Sequence, residues 1–338
     1  KNYKNINLFT KFLKMISFSK NLFFTFFYNR IKLKDIDFIL TSSPDLFTSI
    51  VSYYIAKRKK SKFILEIRDI WPLSQVVLHN FSFKNPLIIL LRYIELFLHR
   101  KADHIISTLP NYHLYLDDNN LSNNYTYIPQ VYNNSETNID YKVSDIPYNN
   151  FDKVGIYAGS VGSFYNVEKF ITNFPQELKD KICIIIVGDG DRWNIIQELI
   201  NKKKLTNFFI LKSKPKSVLK HYYEISDFAI GLHPPHERLY QYGISPLKTI
   251  DYMYAKLPIL FVGDTSYLYN NYSEGFIECD NNKKSLSYAL NKIARTSNND
   301  LTIMGEKNYT FLRLNYNPKL LIRSFEKIIL SLEDRDEN

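Results

Sequence analysis

The glycines of this 338-residue chain are confined to its second half. All ten lie between Gly155 and Gly305, and the first 154 residues contain none. Glycine allows the backbone to adopt positive φ and to approach a bound phosphate closely. The distribution therefore predicts that the second half of the chain is the half that holds a nucleotide.

Short apolar runs alternate with helical patterns along both halves of the chain. Residues 36–40, 62–67 and 104–107 are predicted to be buried parallel strands, with helices at 47–58 and 86–100 between them. The Asn-rich stretch 119–150 is predicted to hold one short strand and a linker, after which the alternation restarts. The second series comprises predicted strands at 153–158, 182–187, 208–211, 227–232 and 258–262, and predicted helices at 167–174, 192–203, 215–223, 246–255 and 285–296.

Two such series predict an α/β fold made of two Rossmann-like, doubly wound domains. At 338 residues and 45% hydrophobic composition, the chain is long enough for two separate cores. We place the first domain at residues 1–148 and the second at residues 149–315. Residues 316–338 contain a last helix, which we expect to cross back to the first domain.

The net charge of +10 predicts an anionic partner, which the charge alone leaves open among nucleic acid, anionic lipid and a phosphorylated substrate. The two cysteines lie inside apolar runs, so no disulfide is predicted and a reducing compartment is expected. The longest apolar stretch, residues 86–98, is interrupted by Arg92 and Glu95 and is too short to span a membrane. No signal peptide is expected in residues 1–14, and since the sequence does not start with Met we expect its natural beginning to lie upstream.

Residues 242–253 form the most distinctive stretch of the sequence and read Tyr-Gly-Ile-Ser-Pro-Leu-Lys-Thr-Ile-Asp-Tyr-Met. We predict that Ser245 caps a helix in which Pro246 is the first residue. The free N–H groups at such a helix start bind anions, and Lys248 in the first turn would add a positive charge. Asp251 lies one turn further and could accept hydrogen bonds from a ribose. An ordinary capped helix without a ligand is the alternative.

Residues 63–72 end a predicted buried strand with Arg-Asp-Ile-Trp-Pro. This pattern places Arg68 and Asp69 at the carboxyl end of the strand, where open α/β sheets keep their active sites. A simple ion pair at the strand end is the alternative. Trp71 would either stack on a sugar or fill a hydrophobic gap.

Two glycine turns follow predicted strands in the second half. Gly159 and Gly162 would let one loop approach a diphosphate, and Gly188 and Gly190 form a second turn after a run of Ile and Val. Tight turns without a ligand would have the same pattern, so both interpretations stay open.

Residues 242–253 and the Pro-Ile that follows at 258–259 resemble the donor site of family-4 retaining glycosyltransferases, which have two Rossmann-like domains (the GT-B fold), and residues 68–72 resemble a segment at the cleft of the same enzymes. Within that family they are most similar to the branch that includes N-acetylfucosamine transferases of O-antigen and capsule synthesis. The resemblance implies that the donor is bound by the two glycine turns, by Lys212 through backbone groups near the base, and by Gly243, Ile244, Ser245, Pro246, Lys248 and Asp251. It also implies that Asp69 orients the acceptor or acts as a general base, with Arg68 near the phosphates.

The chain departs from the family pattern in three places. The family commonly has two acidic residues eight positions apart, and the first of them falls on Gly243 here. Relatives often have an Arg and a Lys just beyond the first glycine turn, where this chain has Ser160, Ser163 and Tyr165, so diphosphate neutralisation is expected to depend on Lys248 and Arg68. Residues 1–34 stand where a first strand and glycine-rich loop are expected, which predicts an N-terminally incomplete first domain.

We therefore expect transfer of a hexose, with retention, from a nucleotide-diphosphate sugar, with UDP as the expected nucleotide. The expected acceptor is a lipid-linked or oligosaccharide acceptor in surface polysaccharide synthesis. No cofactor or metal is expected, because the sequence lacks a zinc-like spacing and an Asp-x-Asp after a strand. The alternatives are an inactive, degenerate transferase and a sugar-nucleotide epimerase of the same fold. Nucleic acid is not expected as a partner, because acidic residues are interspersed among the basic ones and no recognised motif is present.

Residues 11–34 and 83–101 alternate basic residues with Phe, Leu and Ile. This composition suits contact with an anionic membrane surface, and a core-facing helix with a solvated basic side is the alternative. We expect a cytoplasmic protein, peripheral on the inner face of the bacterial membrane. His233 and His236 flank two prolines and are placed to reach the sugar, whereas His104 is expected in the core.

Overall fold

The structure, a computed structural model, describes residues 8–28, 35–121, 124–132, 139–234, 236–269 and 274–334. The initial residues 1–7 and the last part of the predicted lipid-contacting stretch, residues 29–34, lie outside this description. The strands are β1 (Phe38–Ser42), β2 (Lys62–Ile67), β3 (His104–Ser107), β4 (Tyr125–Tyr127), β5 (Lys153–Ala158), β6 (Ile182–Val187), β7 (Phe208–Leu211), β8 (Phe228–Leu232), β9 (Ile259–Val262) and β10 (Phe276–Cys279). The helices are α1 (Leu8–Phe27), α2 (Leu46–Lys59), α3 (Leu73–His79), α4 (Pro86–Lys101), α5 (Tyr112–Asp118), α6 (Val167–Asn173), α7 (Trp193–Lys202), α8 (Lys216–Glu224), α9 (Glu237–Tyr240), α10 (Leu247–Tyr254), α11 (Lys283–Arg295), α12 (Asn298–Asn315) and α13 (Pro318–Glu333).

The first sheet is parallel and its strands follow one another in the order β1-β2-β3-β4. Strand β2 is apolar on both faces, as expected of a strand covered on both sides. Its residues Phe63 and Leu65 belong to the larger core of this sheet, whereas Ile64 points to the other face and packs with Ile328 and Leu332 of α13. The last helix thus covers one face of the first sheet.

The second sheet has six parallel strands in the order β10-β9-β8-β5-β6-β7. Every residue of β5 and β6 is buried, which explains why these strands read as unbroken apolar runs. The chain moves outward from β5 through β6 to β7, and then returns to place β8 on the other side of β5. Such a reversal opens a crevice at the carboxyl ends of the two strands, where open α/β sheets bind their ligands.

The chain divides into two compact units. The first comprises residues 1–130, 236–245 and 319–338, and the second comprises residues 131–235 and 246–318. The division differs from the sequence-based boundaries, because residues 131–148 and 316–318 belong to the second unit and residues 236–245 to the first. The segment 236–245 joins the first unit because Tyr242 packs in that unit's hydrophobic core and accepts a hydrogen bond from the Asn111 N–H at 3.2 Å through its carbonyl.

Several elements were not predicted from the sequence. Strand β10 and helix α12 were missed in the second unit, and the short helices α3, α5 and α9 in the first. The glycine within α12 has a packing reason, because a Cβ at Gly305 would lie 1.8 Å from the carbonyl oxygen of Lys256. Gly305 thereby allows α12 to pack closely against the residue that follows the end of α10.

Candidate functional site

The loops that follow β5 and β6 pack backbone to backbone. A Cβ at Gly188 would lie 1.8 Å from the carbonyl oxygen of Gly159, and one at Gly190 would lie 2.6 Å from the carbonyl carbon of Val161. Gly162 lies beside this contact, and a Cβ at Gly162 would be 3.3 Å from Oδ1 of Asp191. The structure thus brings the four predicted glycines together. It also gives Gly188 and Gly190 a packing role that does not require a ligand.

Helix α10 is held against the end of β5. The Tyr252 hydroxyl accepts a hydrogen bond from the Ala158 N–H at 2.8 Å and lies 3.2 Å from the Ala158 carbonyl oxygen, to which it donates. Both groups are buried, so these hydrogen bonds are protected from water. The first turn of α10, which carries Lys248, is therefore fixed over the glycine turn after β5.

The ammonium group of Lys248 is caged by aromatic rings. It lies 3.6 Å from the ring centroid of Tyr165 and 4.6 Å from that of Tyr157, and it donates to the Tyr157 hydroxyl at 3.1 Å. A Cβ at Gly159 would be 3.2 Å from the nitrogen. None of the ion pairs found in the described ranges involves this lysine. Burial lowers the pKa of Lys248 to about 7.

His233 follows β8 directly, on the other side of the crevice from β5. Its ring is buried and stacks on Phe261 with 4.8 Å between centroids. The Nε2 atom has no hydrogen-bond partner among the described residues. Burial, with a smaller contribution from the charge of Lys248, lowers the pKa of His233 to about 3. The imidazole is therefore neutral at physiological pH and presents an unsatisfied polar nitrogen beside Lys248.

Asp251 lies one turn after Lys248 on the same side of α10. Its carboxylate accepts a hydrogen bond from the Lys216 ammonium at 2.8 Å, and the Lys216 side chain is largely exposed. An exposed pair of this kind contributes at most about 1 kcal/mol, so it leaves the carboxylate available to a ligand. The predicted role of Asp251 in ribose binding stays a prediction.

Lys212 is occupied by contacts within the second unit. Its ammonium lies 3.3 Å from the Asp189 carboxylate and 3.5 Å from the ring centroid of Trp193. Asp189 also accepts hydrogen bonds from the N–H and hydroxyl of Ser213, and these lower its pKa, with Lys212 contributing less. The loops after β6 and β7 are thereby tied together. The predicted backbone contact near Lys212 with a base is not tested by these contacts.

Gly243 belongs to the first unit and is required there on two grounds. Its φ of +94° is a left-handed conformation that L side chains rarely adopt, and a Cβ would lie 2.4 Å from Cδ of Pro110. Any side chain at this position would collide with Pro110. The acidic residue that the resembling family has here therefore has no room in this chain. Ile244 and Ser245 follow in the same segment of the first unit.

The prediction that Ser245 caps α10 is wrong. Pro246 occupies the N-cap position in an extended conformation, with φ −77° and ψ 116°, and Leu247 is the first helical residue. Ser245 therefore lies one residue too early to cap, and its hydroxyl is buried without a partner among the described residues. Since no side chain caps α10, the N–H groups of its first turn remain available for an anion.

Arg68 and Asp69 lie exposed at the carboxyl end of β2, as predicted from the sequence. Their backbone N–H groups both donate to the Ser43 hydroxyl, at 2.9 and 3.1 Å, which fixes the turn. Desolvation by surrounding protein raises the pKa of Asp69, and the charge of Arg68 partly opposes this. Neither residue is in the unit that contains Lys248.

Trp71 is buried in the core of the first unit and lies nearly parallel to Phe12, with 6.3 Å between centroids. The structure therefore favours the interpretation of Trp71 as a residue that fills the core over its interpretation as a sugar platform. His104 is also buried, and its ring nitrogens are hydrogen-bonded to Asn124 and Thr126, in agreement with its expected place in the core.

A polar cavity of about 290 Å³ opens in the first unit directly beyond Trp71, beside Pro72 and Leu73. Arg92 lines it and is held by Glu95, Tyr115 and Asn119. Further lining residues are Phe83, Asp118, Arg238, Gln241 and Tyr242. The mixture of fixed charged, amide and aromatic groups suits a polyhydroxylated molecule.

Sequence reasoning missed the two rings that surround Lys248 and the Lys216 partner of Asp251. A tyrosine immediately before a glycine turn, as at Tyr157, was a visible signal. The position of Tyr165 depends on the irregular turn after Gly162 and has no periodic signature. Within the described ranges, no group of three or more His, Cys, Asp or Glu side chains could hold a metal ion.

Comparison with protein-family models gives no match, and comparison with curated proteins gives none either. Solved structures match along most of the chain. Sucrose-phosphate synthase from Thermosynechococcus elongatus superimposes with a TM-score of 0.67 at 14% identity, covering 99% of this chain and 82% of that one. HepE from Anabaena, solved in complex with UDP, gives a TM-score of 0.66 at 11% identity over 94% of this chain and 82% of that one. WaaG, a glycosyltransferase involved in lipopolysaccharide biosynthesis, gives 0.58 at 11% identity over 96% and 97%.

These similarities define the structural class. The chain is an α/β protein with two parallel sheets and has the GT-B fold of the glycosyltransferases it matches. The predicted fold class is thereby confirmed. At 11–14% identity the comparison establishes the fold, and the chemistry has to be argued from the residues of this chain.

Proposed function

We propose that this protein is a glycosyltransferase whose second unit binds a nucleotide-diphosphate sugar. The observation that supports this most directly is Lys248, a partly buried cation with no carboxylate partner in the described ranges, at the uncapped start of α10. Burying an ammonium group without an anion is unfavourable, and a protein keeps such a group where a ligand supplies the missing charge. A diphosphate lying against the glycine turn after β5 would supply it.

Lys248 and the N–H groups of α10 would stabilise the diphosphate as it leaves the sugar. Negative charge grows on the leaving oxygen in the transition state, and preorganised donors aimed at that oxygen lower the barrier. The neutral His233 offers its unsatisfied Nε2 to a hydroxyl or phosphate oxygen of the donor. Asp251 accepts hydrogen bonds from the ribose hydroxyls, with Lys216 as its surface partner in the free protein.

The acceptor side of the reaction is assigned to the first unit. Asp69, whose pKa is raised by desolvation, orients the acceptor hydroxyl or takes its proton as general base. The cavity that begins at Pro72, a few residues beyond Asp69, is a place for the acceptor saccharide, with Arg238 and Asp118 presenting groups that bind hydroxyls. Arg68 would help to neutralise the diphosphate.

The finer assignment follows the resemblance of residues 63–72 and 242–253 to the family-4 branch described above. In this assignment the enzyme transfers a hexose-type sugar, with retention of its anomeric configuration, in O-antigen or capsule synthesis. UDP is the proposed nucleotide, since HepE is solved with UDP and a TarM structure also contains UDP. The proposed acceptor is a lipid-linked saccharide or an oligosaccharide, and the proposed location is the cytoplasmic face of a bacterial membrane. A required metal is not part of the proposal.

The proposal is tested first by donor binding. The melting temperature of the purified chain is measured with UDP, GDP, UDP-N-acetylglucosamine, UDP-N-acetylfucosamine and GDP-mannose, because a ligand that binds only the folded state raises it. A shift with one nucleotide family, lost in Lys248→Met and retained in Lys256→Met, supports the site. Lys256 is a matched control, since its exposed ammonium pairs with Glu306 at 2.8 Å. A cooperatively melting protein that responds to none of these ligands would contradict the proposal and favour an inactive relative.

Transfer is tested next by release of UDP from the donor in the presence of membrane extracts that contain lipid-linked saccharides. Acceptor-dependent release distinguishes a transferase from an epimerase of the same fold, which would isomerise the sugar without an acceptor. The anomeric configuration of the product, read by NMR, decides between retention and inversion.

A further inference from the structure

The positive charge of the chain is concentrated at its beginning. Residues 1–60 contain twelve lysines and arginines, three aspartates and no glutamate. The other 278 residues contain 32 basic and 31 acidic side chains and are nearly neutral. Nine of the ten net positive charges therefore belong to the segment that contains α1 and α2.

Helix α1 packs on α2 with only part of its apolar surface. Phe12 contacts Phe47 edge-on at 5.1 Å between centroids, the Ser19 hydroxyl lies 2.9 Å from that of Thr48, and Phe26 is buried. These residues define the inner face of α1. A helix that served only as a cover for α2 would be polar on the remaining surface.

The neighbouring side of α1 is apolar and exposed. Leu13, Ile16, Phe23 and Phe24 are between 39% and 49% exposed, and at 3.6 residues per turn they share a sector of about 100°. Lys20 lies in the same sector. Solvation of a cluster of apolar side chains on one side of a surface helix is unfavourable, so such a cluster marks a contact surface. We call these four residues the outer stripe.

Cations surround the aromatic end of the outer stripe. Lys20 lies 5.8 Å from the ring centroid of Phe24, and Arg58 lies 5.6 Å from that of Phe27. Arg58 is one of four consecutive basic residues, 57–60, at the end of α2. Apolar groups bordered by flexible basic side chains match a lipid interface, where rings enter the acyl region and cations stay at the phosphates.

We infer that the outer stripe of α1, with the basic end of α2, is a docking surface for an anionic lipid bilayer, on which α1 lies in the plane of the membrane. No helix of the described ranges is long and apolar enough to cross a membrane. A second copy of the chain is a poorer occupant, because it would bring a face of the same positive charge against this one. Nucleic acid is also a poorer occupant, because its charged backbone would leave the aliphatic side chains of Leu13 and Ile16 without an apolar partner.

Helix α4 also combines exposed apolar side chains with basic ones. Leu87, Leu90 and Tyr93 are exposed there, and residues 83–101 contain four basic side chains and one acidic one, the buried Glu95. Arg92 is held by Glu95, Tyr115 and Asn119, whereas four consecutive basic residues, 57–60, lie at the end of α2. The α4 surface is therefore the rival with which the variants of α1 are compared.

This inference rests on the proposed function, which locates the protein at a membrane, and it names the surface that binds that membrane. The test requires neither donor nor acceptor. The full chain is sedimented with vesicles of phosphatidylcholine alone and with vesicles containing about one-third phosphatidylglycerol. The expected result is partitioning at least tenfold stronger onto the anionic vesicles, lost on raising the salt concentration. Equal binding to both vesicles, or no binding, would overturn the inference.

Paired variants separate the two parts of the surface. Leu13→Gln with Phe24→Gln is expected to weaken partitioning about tenfold or more, whereas Leu90→Gln with Tyr93→Gln leaves it unchanged. Lys14→Gln with Lys20→Gln is expected to weaken it by a factor of roughly five for each lysine, whereas Lys283→Gln with Lys284→Gln on α11 has no effect. Equal losses in test and control pairs would refute the assignment to α1.

Two further readouts keep the outcomes distinct. Cooperative melting of each variant shows that α1 remains folded on α2, and a retained thermal shift with UDP shows that the donor site is intact. Loss of vesicle binding with a normal UDP response would leave the proposed function standing. A dimer in sedimentation velocity that the Leu13→Gln and Phe24→Gln pair dissolves would assign the outer stripe to self-association and overturn the inference.

Discussion

UDP affinity is predicted to fall as the pH rises above 7, because Lys248 is half deprotonated there in the free protein. A diphosphate beside the ammonium favours its charged form, so the pKa of Lys248 rises in the complex and binding takes up a proton. The protonated fraction of a group with a pKa of about 7 is about one half at pH 7 and about one hundredth at pH 9. If the pKa in the complex lies above this range, affinity falls about 50-fold between these two pH values.

Lys248→Met removes the charge, keeps the length of the side chain and should abolish this pH dependence. At pH 7 the variant loses a charge-assisted hydrogen bond worth about 1.5–3 kcal/mol, which corresponds to a roughly 10- to 150-fold weaker affinity. The free variant should melt no lower than the wild type at pH 7. The pKa of Lys248 is depressed from 10.5 to about 7, so the wild-type chain gains stability as the pH rises through this window, and the variant is spared the cost of the buried charge at pH 7.

The assay is isothermal titration calorimetry with UDP from pH 6.5 to 9.5, repeated in two buffers of different ionisation enthalpy. The second phosphate ionisation of UDP, with a pKa of about 6, lies below this window and does not imitate the effect. A wild-type affinity that is flat from pH 7 to 9 in a folded protein would refute the reasoning. So would a Lys248→Met variant that binds UDP as tightly as the wild type, or a Lys256→Met control that shows the same loss.

Three further predictions concern single residues. Asp251→Asn should weaken UDP binding about tenfold in calorimetry while leaving the melting temperature unchanged, because its pair with Lys216 is exposed; full affinity would remove Asp251 from the ribose site. Gly243→Ala should destabilise the chain by at least about 2 kcal/mol in urea unfolding, through its φ and the collision with Pro110, and a neutral effect would contradict the described turn. Asp69→Asn should abolish acceptor-dependent UDP release and leave the UDP thermal shift intact, whereas loss of both would indicate misfolding and retained turnover would exclude Asp69 as base.

The central strands of both sheets were predictable because most of their residues are buried on both faces. Strands β2 and β6 have the bounds that the apolar runs predict, since every face of the strand is covered and the pattern is continuous. Strand β10 is four residues long with Glu278 exposed in its middle, and this is too short a pattern to recognise. Helix α12 was missed although Ser297 caps it through the Asp300 N–H at 3.1 Å, a Ser-x-x-Asp signal that was visible in the sequence.

The candidate site was predictable only where residues lie close in sequence. The glycine turns and the sequence of α10 were identified from local patterns. The cage around Lys248 depends on how α10 is set against β5, which the Tyr252 hydroxyl fixes across 94 positions of sequence. The position of His233 beside Lys248 depends on the return of β8 to the side of β5, and no local pattern encodes strand order.

The contact between the two glycine turns also restricts how the sequence of this protein can diverge. The Cβ of any residue at position 188 would meet the backbone of Gly159, and at position 190 the backbone of Val161. A neighbouring side chain can be exchanged for a smaller one, but a backbone atom cannot, so no second substitution compensates for a first one at these positions. Among descendants that keep this fold, positions 188 and 190 should remain glycine. Variation in donor preference should accumulate instead in other residues of the loop after β5, such as Ser160 and Ser163.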